Sequence, residues 1–121
     1  MLSMSHGYLN KHYAALGFIN KAIDLKAAKK LIDIGMMISF SGIVTFSNAY
    51  DLRSIVSYIP NEFLLIETDA PYLSPVPNRG KQNEPAFIIH TARQIAELRG
   101  CSVEDIAYIT SSNAKKLFSI G

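Results

Sequence analysis

The segment 63–73 constrains the fold of this chain more than any other part of the sequence. Its first four residues are apolar without alternation, as in a strand that is buried on both faces of a parallel sheet. Two carboxylates, Glu67 and Asp69, follow at once, and Pro71 ends the strand. Barrel enzymes present catalytic or metal-binding carboxylates in this way, although an isolated aspartate more often caps a turn.

The loop after this strand favours a functional site over a simple turn. Residues 74–85 hold three prolines, two cations and two asparagines, and little that packs in a core. Arg79 and Lys81 flank a glycine, and both phosphate contact and a solvated loop charge are open interpretations for them. Asn83 is either the N-cap of a helix over 85–99 or a ligand contact.

Residues 64–85 closely resemble the carboxyl-terminal signature of the TatD family of metal-dependent deoxyribonucleases. The shared pattern is a hydrophobic strand, Glu-Thr-Asp-Ala-Pro-Tyr-Leu, a proline-rich turn, Arg-Gly-Lys, and Asn-Glu-Pro opening a helix. The resemblance covers roughly residues 24–118. It implies an α/β fold, the carboxyl-terminal portion of a TIM-type (β/α)8 barrel, with two to three parallel strands and flanking helices. The partial barrel domain then comprises residues 24–121, and residues 1–23 form an atypical segment without a family match.

The length of 121 residues sets a limit on this fold. A complete (β/α)8 barrel needs about 250 residues, so we expect a truncated chain that holds the last third to half of the barrel. Such a fragment leaves one strand edge and one apolar helix face uncovered. Unless a second copy or residues 1–23 cover them, Met36, Met37, Ile38 and Phe40 are therefore predicted to be more exposed than in a complete barrel.

Periodicity and capping signals divide the chain into alternating elements. Parallel, neighbouring strands are predicted at 36–41 and 63–69, with a third strand near 14–19. The predicted helices span 24–34, 49–59, 85–99 and 103–118. Residues 110–113 form a second helix-start signal, so a last helix that is broken into two is an alternative.

The resemblance also implies roles for individual residues. Asp69 is the expected catalytic residue and metal ligand, and it would accept a proton from the attacking water. Glu67 faces the same way by strand alternation and would support it. The cofactor would be a divalent metal ion, with Mg, Mn and Zn not distinguished. The phosphate or substrate loop would present Arg79, Lys81, Asn83 and Glu84.

Most metal ligands of the family have no counterpart in this chain. The family carries a His-x-His pair on the first strand and a Glu and a His on middle strands. A further His-Cys-Phe-Ser-Gly motif is expected near Asn20, which is not a ligand of that type. His6 and His12 lie in no strand pattern, and we do not predict them as ligands. Since a catalytic ion commonly needs three protein ligands, we expect this chain alone to bind no metal and to be inactive without the missing amino-terminal half.

Charge and composition limit the partners. Twelve basic and ten acidic residues give a net charge of +2, which excludes binding of nucleic acid by a strong positive field alone. DNA is the substrate class by resemblance, so its contacts would be local to Arg79 and Lys81. The single Cys101 suits a reducing compartment, and no apolar stretch reaches eighteen residues. We therefore predict a cytoplasmic protein without membrane contact.

Three hypotheses follow from these observations. The chain is a TatD-type hydrolase that is active only with a complementing chain, or a decayed non-catalytic remnant that folds partly or as a homo-oligomer. Alternatively, it is a phosphate- or nucleic-acid-binding module that uses the loop 70–85. An upstream reading frame encoding the missing ligands would favour the first and its absence the second. Salt-dependent DNA binding without turnover would favour the third.

Overall fold

A parallel sheet flanked by helices forms the part of the chain that the computed structural model describes, residues 13–15, 24–47, 49–68 and 75–118. Short 3-10 helices lie at Gly42–Thr45, Asn61–Phe63 and Pro85–Phe87. In chain order the strands and α-helices are β1 (Tyr13–Ala15), α1 (Leu25–Asp33), β2 (Met37–Phe40), α2 (Tyr50–Tyr58), β3 (Leu64–Ile66), α3 (Ile88–Arg99) and α4 (Val103–Phe118).

The sheet has the order β1–β2–β3, and both pairings are parallel. Ser39 on β2 lies opposite Leu65 on β3, and Tyr13 on β1 lies opposite Met37. The two predicted neighbouring parallel strands are confirmed, although both are shorter than predicted. A third strand is also present, slightly earlier than residues 14–19. The α/β barrel-fragment architecture expected from the sequence is therefore confirmed.

Both ends of α1 are capped by local hydrogen bonds. The Asp24 carboxylate accepts a hydrogen bond of 2.8 Å from the backbone N–H of Ala27. At the other end, Gly35 has a φ of +85°, a conformation that favours glycine. The backbone N–H of Met36 donates to the carbonyl of Leu31, and that of Gly35 donates to the carbonyl of Ile32. These two hydrogen bonds form a Schellman motif, which ends the helix.

The final helix, α4, is continuous, so the alternative of a break at 110–113 is wrong. It begins with a capping box, in which Ser102 and Asp105 each accept the other's backbone N–H. The hydroxyl of Thr110 donates to the carbonyl of Ile106 within the same helix. The side-chain amide of Asn113 donates to the backbone carbonyls of Asn61 and Leu64, outside this helix. The polar side chains of this segment resemble a helix start signal, but their hydrogen bonds do not interrupt the helical backbone.

One face of the sheet packs against helices α1, α2 and α3. Ile38 and Phe40 are only 0% and 1% exposed, so the prediction that they are uncovered is wrong. The reason is that side chains of α1, α2 and α3 form one core with these two side chains. The core on this side contains Ala28, Ile32, Ile38, Phe40, Val44, Ile55, Val56, Ile59, Leu64, Ala92, Ile95, Ala96 and Ile106.

The opposite face of the sheet is covered in part by the last turns of α4. Leu65 is buried there, and Met37 is half-buried. Ala114, Leu117 and Phe118 pack against them. No helix among the described residues is long and apolar enough to cross a membrane.

Candidate functional site

The candidate site lies at the carboxyl ends of β2 and β3, which are neighbours because the strands are parallel. Glu67 directly follows β3, and its backbone N–H donates to the carbonyl of Phe40 at 2.9 Å. The Glu67 side chain projects on the same sheet face as Ser39, whose hydroxyl donates to Oε1 at 3.0 Å. Glu67 is 6% and Ser39 2% exposed. A hydroxyl from the central strand therefore holds a buried carboxylate at the strand end.

Asn83 fixes the next residue of the chain. Its side chain is 4% exposed, and Nδ2 donates to the backbone carbonyl of Thr68 at 2.5 Å. The interpretation of Asn83 as a helix N-cap is wrong. The helical segment begins as a 3-10 turn at Pro85, directly after Glu84, without a side-chain cap. Asn83 instead ties the long loop to the end of β3.

Asp69, the predicted catalytic residue and metal ligand, lies outside the described residues, as do His6, His12 and Asn20. The structure does place the two residues that precede Asp69 in the sequence. Glu67 is hydrogen-bonded to β2 through both its backbone and its side chain, and Thr68 is hydrogen-bonded to Asn83. Hydrogen bonds therefore anchor the last two described residues before position 69.

The predicted phosphate loop lies against the segment that follows β2. The backbone N–H of Val76 donates to the hydroxyl of Thr45 at 2.8 Å. The guanidinium of Arg79 lies 3.8 Å from the centre of the Phe46 ring. This is the distance of a cation–π contact between the guanidinium and the ring. Arg79 is exposed at the surface.

The other two predicted loop residues are also exposed. Lys81 is held through its backbone N–H, which donates to the carbonyl of Asn78 at 3.0 Å. Glu84 sits at the start of the Pro85–Phe87 turn. Arg79, Lys81 and Glu84 thus share one surface loop, whereas Asn83 is buried beneath it.

Sequence reasoning missed Arg53, which shapes the turn under Arg79. Its guanidinium donates to the backbone carbonyls of Val44, Thr45 and Phe46, at 3.2, 3.2 and 2.9 Å. These carbonyls lie at the carboxyl end of the 3-10 helix after β2, where they have no helical N–H partner. No local pattern marks this role, because the acceptors lie seven to nine residues away across a turn.

A second polar cluster lies at the amino end of β3, away from the carboxylate. Arg99 donates to the carbonyls of Val56 and Ile59, and also to the side chain of Asn61. Cys101 is half-buried beside it. A cavity of about 350 Å³ is lined here by Asn61, Arg99, Cys101, Asp105, Tyr108 and Ile109. Because Arg99 bonds the end of α2 and the turn before β3, we interpret this cluster as structural.

The described side chains do not form a complete metal site. Within residues 24–47, 49–68 and 75–118, no group of three His, Cys, Asp or Glu side chains could hold a metal ion. Glu67 is a buried carboxylate, and divalent cations such as Mg²⁺ and Ca²⁺ prefer oxygen ligands of this kind. In the described part of the chain, however, it does not form a group with two further side chains of these types. We therefore derive no catalytic step through a metal from these residues.

A family model described as TatD related DNase matches residues 21–119 of this chain. The chain belongs to this family. It is 52% identical over 97 residues to the uncharacterized metal-dependent hydrolase YcfH of Escherichia coli K12, which covers 80% of this chain and 37% of YcfH. It is 48% identical over 95 residues to the uncharacterized metal-dependent hydrolase YabD of Bacillus subtilis, covering 78% of this chain and 37% of YabD.

Solved structures agree with this family membership. The crystal structure of YJJV, a TatD homolog from Escherichia coli, superposes with a TM-score of 0.75 at 26% identity. The match covers 84% of this chain and 39% of that one. A TatD family hydrolase from Entamoeba histolytica shares the fold, with a TM-score of 0.67 at 21% identity over 80% of this chain and 40% of that one. The chain therefore spans under half the length of the relatives it matches.

Proposed function

We propose that this chain contributes the carboxyl-terminal part of a TatD-type metal-dependent hydrolase that cleaves phosphodiester bonds in DNA. The observation that carries the proposal is the buried Glu67 carboxylate, held by Ser39 at the carboxyl end of a parallel strand, within a segment that matches the family. Active sites of parallel α/β barrels are built at this end of the strands.

Asp69 is the proposed catalytic residue. It follows two residues after Glu67, and the intervening Thr68 is anchored by Asn83. We infer that the Asp69 carboxylate accepts the proton of the attacking water, as a general base within hydrogen-bond reach would do. Glu67 has a positioning role in this proposal, because its buried carboxylate is hydrogen-bonded to the neighbouring strand. A divalent metal ion in the completed site would stabilise negative charge on the phosphate oxygens.

Arg79 and Lys81 are the proposed phosphate contacts. Both are exposed on a loop that hydrogen bonds attach to the turn after β2. The Arg79 guanidinium contacts the Phe46 ring, and its N–H groups are the type of donor that binds phosphate oxygens. Asn83 and Glu84 complete the proposed loop, Asn83 by holding its carboxyl-terminal end to the strand.

We infer that the missing ligands come from the part of a TatD-type barrel that this chain does not match, and that the chain by itself does not cleave DNA. The cytoplasm remains our prediction for the compartment. The experiment mixes the 121-residue chain with the unmatched portion of YcfH and measures metal-dependent cleavage of an oligonucleotide. The expected result is cleavage that Asp69→Asn abolishes, because the variant lacks the charge and the proton acceptor.

The matched control is Asp33→Asn, which makes the same chemical change at an exposed residue in the last turn of α1. This variant should cleave like the unchanged chain. Full activity of Asp69→Asn in the mixture would remove Asp69 from the proposed role. Salt-dependent DNA binding by the mixture without any cleavage would favour a phosphate-binding module in place of a hydrolase.

A further inference from the structure

Arg53, in the first turns of α2, donates hydrogen bonds back to the turn that follows β2. Its Nε donates to the carbonyl of Val44 at 3.2 Å, and one terminal nitrogen donates to those of Thr45 and Phe46 at 3.2 and 2.9 Å. Three of the five N–H donors of the guanidinium are thus bound to three consecutive carbonyls. Because these donors have a fixed arrangement, they hold the carbonyls in one relative orientation.

The turn that Arg53 holds also supports the loop that carries Arg79. The Thr45 hydroxyl accepts the backbone N–H of Val76 at 2.8 Å. The centre of the Phe46 ring, the next residue of the turn, lies 3.8 Å from the Arg79 guanidinium. Two adjacent residues of the turn therefore contact the loop, one near its beginning and the other at Arg79.

Backbone hydrogen bonds connect the start of this loop to residues on both sides of Arg79. Pro75 is buried, and its carbonyl accepts the backbone N–H of Asn78 at 2.7 Å. The carbonyl of Asn78 accepts the backbone N–H of Lys81 at 3.0 Å. Residues 75–81 therefore form two consecutive hydrogen-bonded turns, so a shift of the turn beneath them would also shift Arg79.

We propose that Arg53 is a positioning residue, which sets where the Arg79 guanidinium lies on the surface of the protein. This role rests on the proposed function, which assigns a phosphate contact to Arg79. A free arginine side chain loses much rotamer freedom when it binds a phosphate, whereas one that already contacts a ring on a fixed turn loses less. Arg53 thereby strengthens the phosphate contact without touching the phosphate itself.

Burial and hydrogen bonding distinguish this role from a direct phosphate contact by Arg53. Its side chain is half-buried, whereas that of Arg79 is exposed. A phosphate oxygen that took over the bonded donors of Arg53 would leave the carbonyls of the turn without them, and such a loss is costly. The geometry therefore favours an action of Arg53 through the turn and Arg79.

The first measurement detects, by NMR on the 121-residue chain, nuclear Overhauser effects between the Arg79 side chain and the Phe46 ring. Arg53→Lys keeps the positive charge but not the fixed arrangement of donors, so we expect it to lose these Overhauser effects. The matched control is Arg99→Lys, because Arg99 is also half-buried and donates to two backbone carbonyls near the end of α2. This control should keep the Overhauser effects between Arg79 and Phe46.

The second measurement is the Kd for a labelled DNA duplex, with the chain mixed with the unmatched portion of YcfH as in the cleavage assay. Arg53→Lys should raise Kd about fivefold, a size typical of coupled residues. In the Arg79→Ala background it should raise Kd no further, because a positioning residue acts only through the group that it positions. Arg99→Lys should leave Kd unchanged in both backgrounds.

Circular dichroism first establishes that each variant is folded, and Arg53→Gln, which keeps an uncharged donor, replaces Arg53→Lys if the latter is unstable. Unchanged Overhauser effects or an unchanged Kd in the Arg53 variant would overturn the proposal. The same losses in Arg99→Lys, or an equal rise of Kd in the Arg79→Ala background, would also overturn it, because Arg53 would then not act through Arg79. Lost Overhauser effects together with no DNA binding by the unchanged mixture would refute the proposed function and leave the positioning of Arg79 standing.

Discussion

Ser39 and Glu67 show how a single hydrogen bond couples two strands at the carboxyl end of the sheet. A buried carboxylate is costly unless other groups hydrogen-bond to it, and the Ser39 hydroxyl is one such group. The same hydrogen bond restricts the Glu67 side chain to one orientation. At the scale of the residue, this hydrogen bond therefore fixes the end of β3 two residues before Asp69.

Replacing Ser39 with alanine should lower the free energy of unfolding by about 1–3 kcal/mol, because a buried acceptor loses its donor. Urea denaturation followed by circular dichroism measures the change. Ser57→Ala is the matched control, since the Ser57 hydroxyl is exposed and donates only to a helix carbonyl. Its effect should stay within about 0.5 kcal/mol. Equal stabilities of the two variants would show that the bond contributes nothing.

Arg79→Ala should weaken DNA binding by the completed protein and reduce its salt dependence. Loss of one phosphate contact lowers the slope of log K against log salt concentration by about 0.9 for duplex DNA. Fluorescence anisotropy of a labelled duplex at several salt concentrations gives this slope. Arg93→Ala removes an exposed arginine from α3 and should leave the slope unchanged. An unchanged slope for Arg79→Ala would mean that its guanidinium serves only to pack on Phe46.

At the scale of the element, helix α4 is hydrogen-bonded to the sheet through Asn113. Asn113 lies near the carboxyl-terminal end of the helix, is 4% exposed and donates to backbone carbonyls at the start of β3 and in the turn before it. Arg99, at the end of α3, bonds the same turn through Asn61. Two side chains from consecutive helices thus hold the amino end of β3, opposite to the end that carries Glu67.

Asn113→Asp should destabilise the protein by about 3 kcal/mol or more. The substitution keeps the size of the side chain but removes both N–H donors and places a carboxylate against two carbonyls. Thermal and urea unfolding measure the loss. Ser111→Ala, at an exposed position of the same helix, should change stability by less than about 0.5 kcal/mol. Comparable stability of the two variants would contradict the role assigned to Asn113.

Local signals predicted the elements well, because they depend on residues close in sequence. Asp24 at the start of α1 and Gly35 after its end are of this kind. The roles of Asn83 and Asn113 could not be predicted, since their acceptors lie 15, 49 and 52 residues away. Local sequence patterns could therefore indicate the elements, whereas the hydrogen bonds of Asn83 and Asn113 depend on tertiary contacts that no local pattern encodes.

At the scale of the whole molecule, helices cover one face of the described sheet, and the last turns of α4 cover part of the other. The burial of Ile38 and Phe40 shows that the helices of a partial barrel protect their own strands. Among the described residues, β3 pairs only with β2. The chain belongs to the TatD family, and its match covers 37% of YcfH. In the proposed function, the missing metal ligands come from the part of a TatD-type barrel that this chain does not match.

The most direct test of this account is metal-dependent cleavage of DNA by the 121-residue chain, alone and mixed with the unmatched portion of YcfH. Each is assayed with Mg²⁺, Mn²⁺ and Zn²⁺, and the YcfH portion alone serves as the control. The account predicts no cleavage by either polypeptide alone and cleavage by the mixture. Cleavage by the chain alone that a chelator abolishes would contradict it, because the chain would then hold a complete metal site of its own.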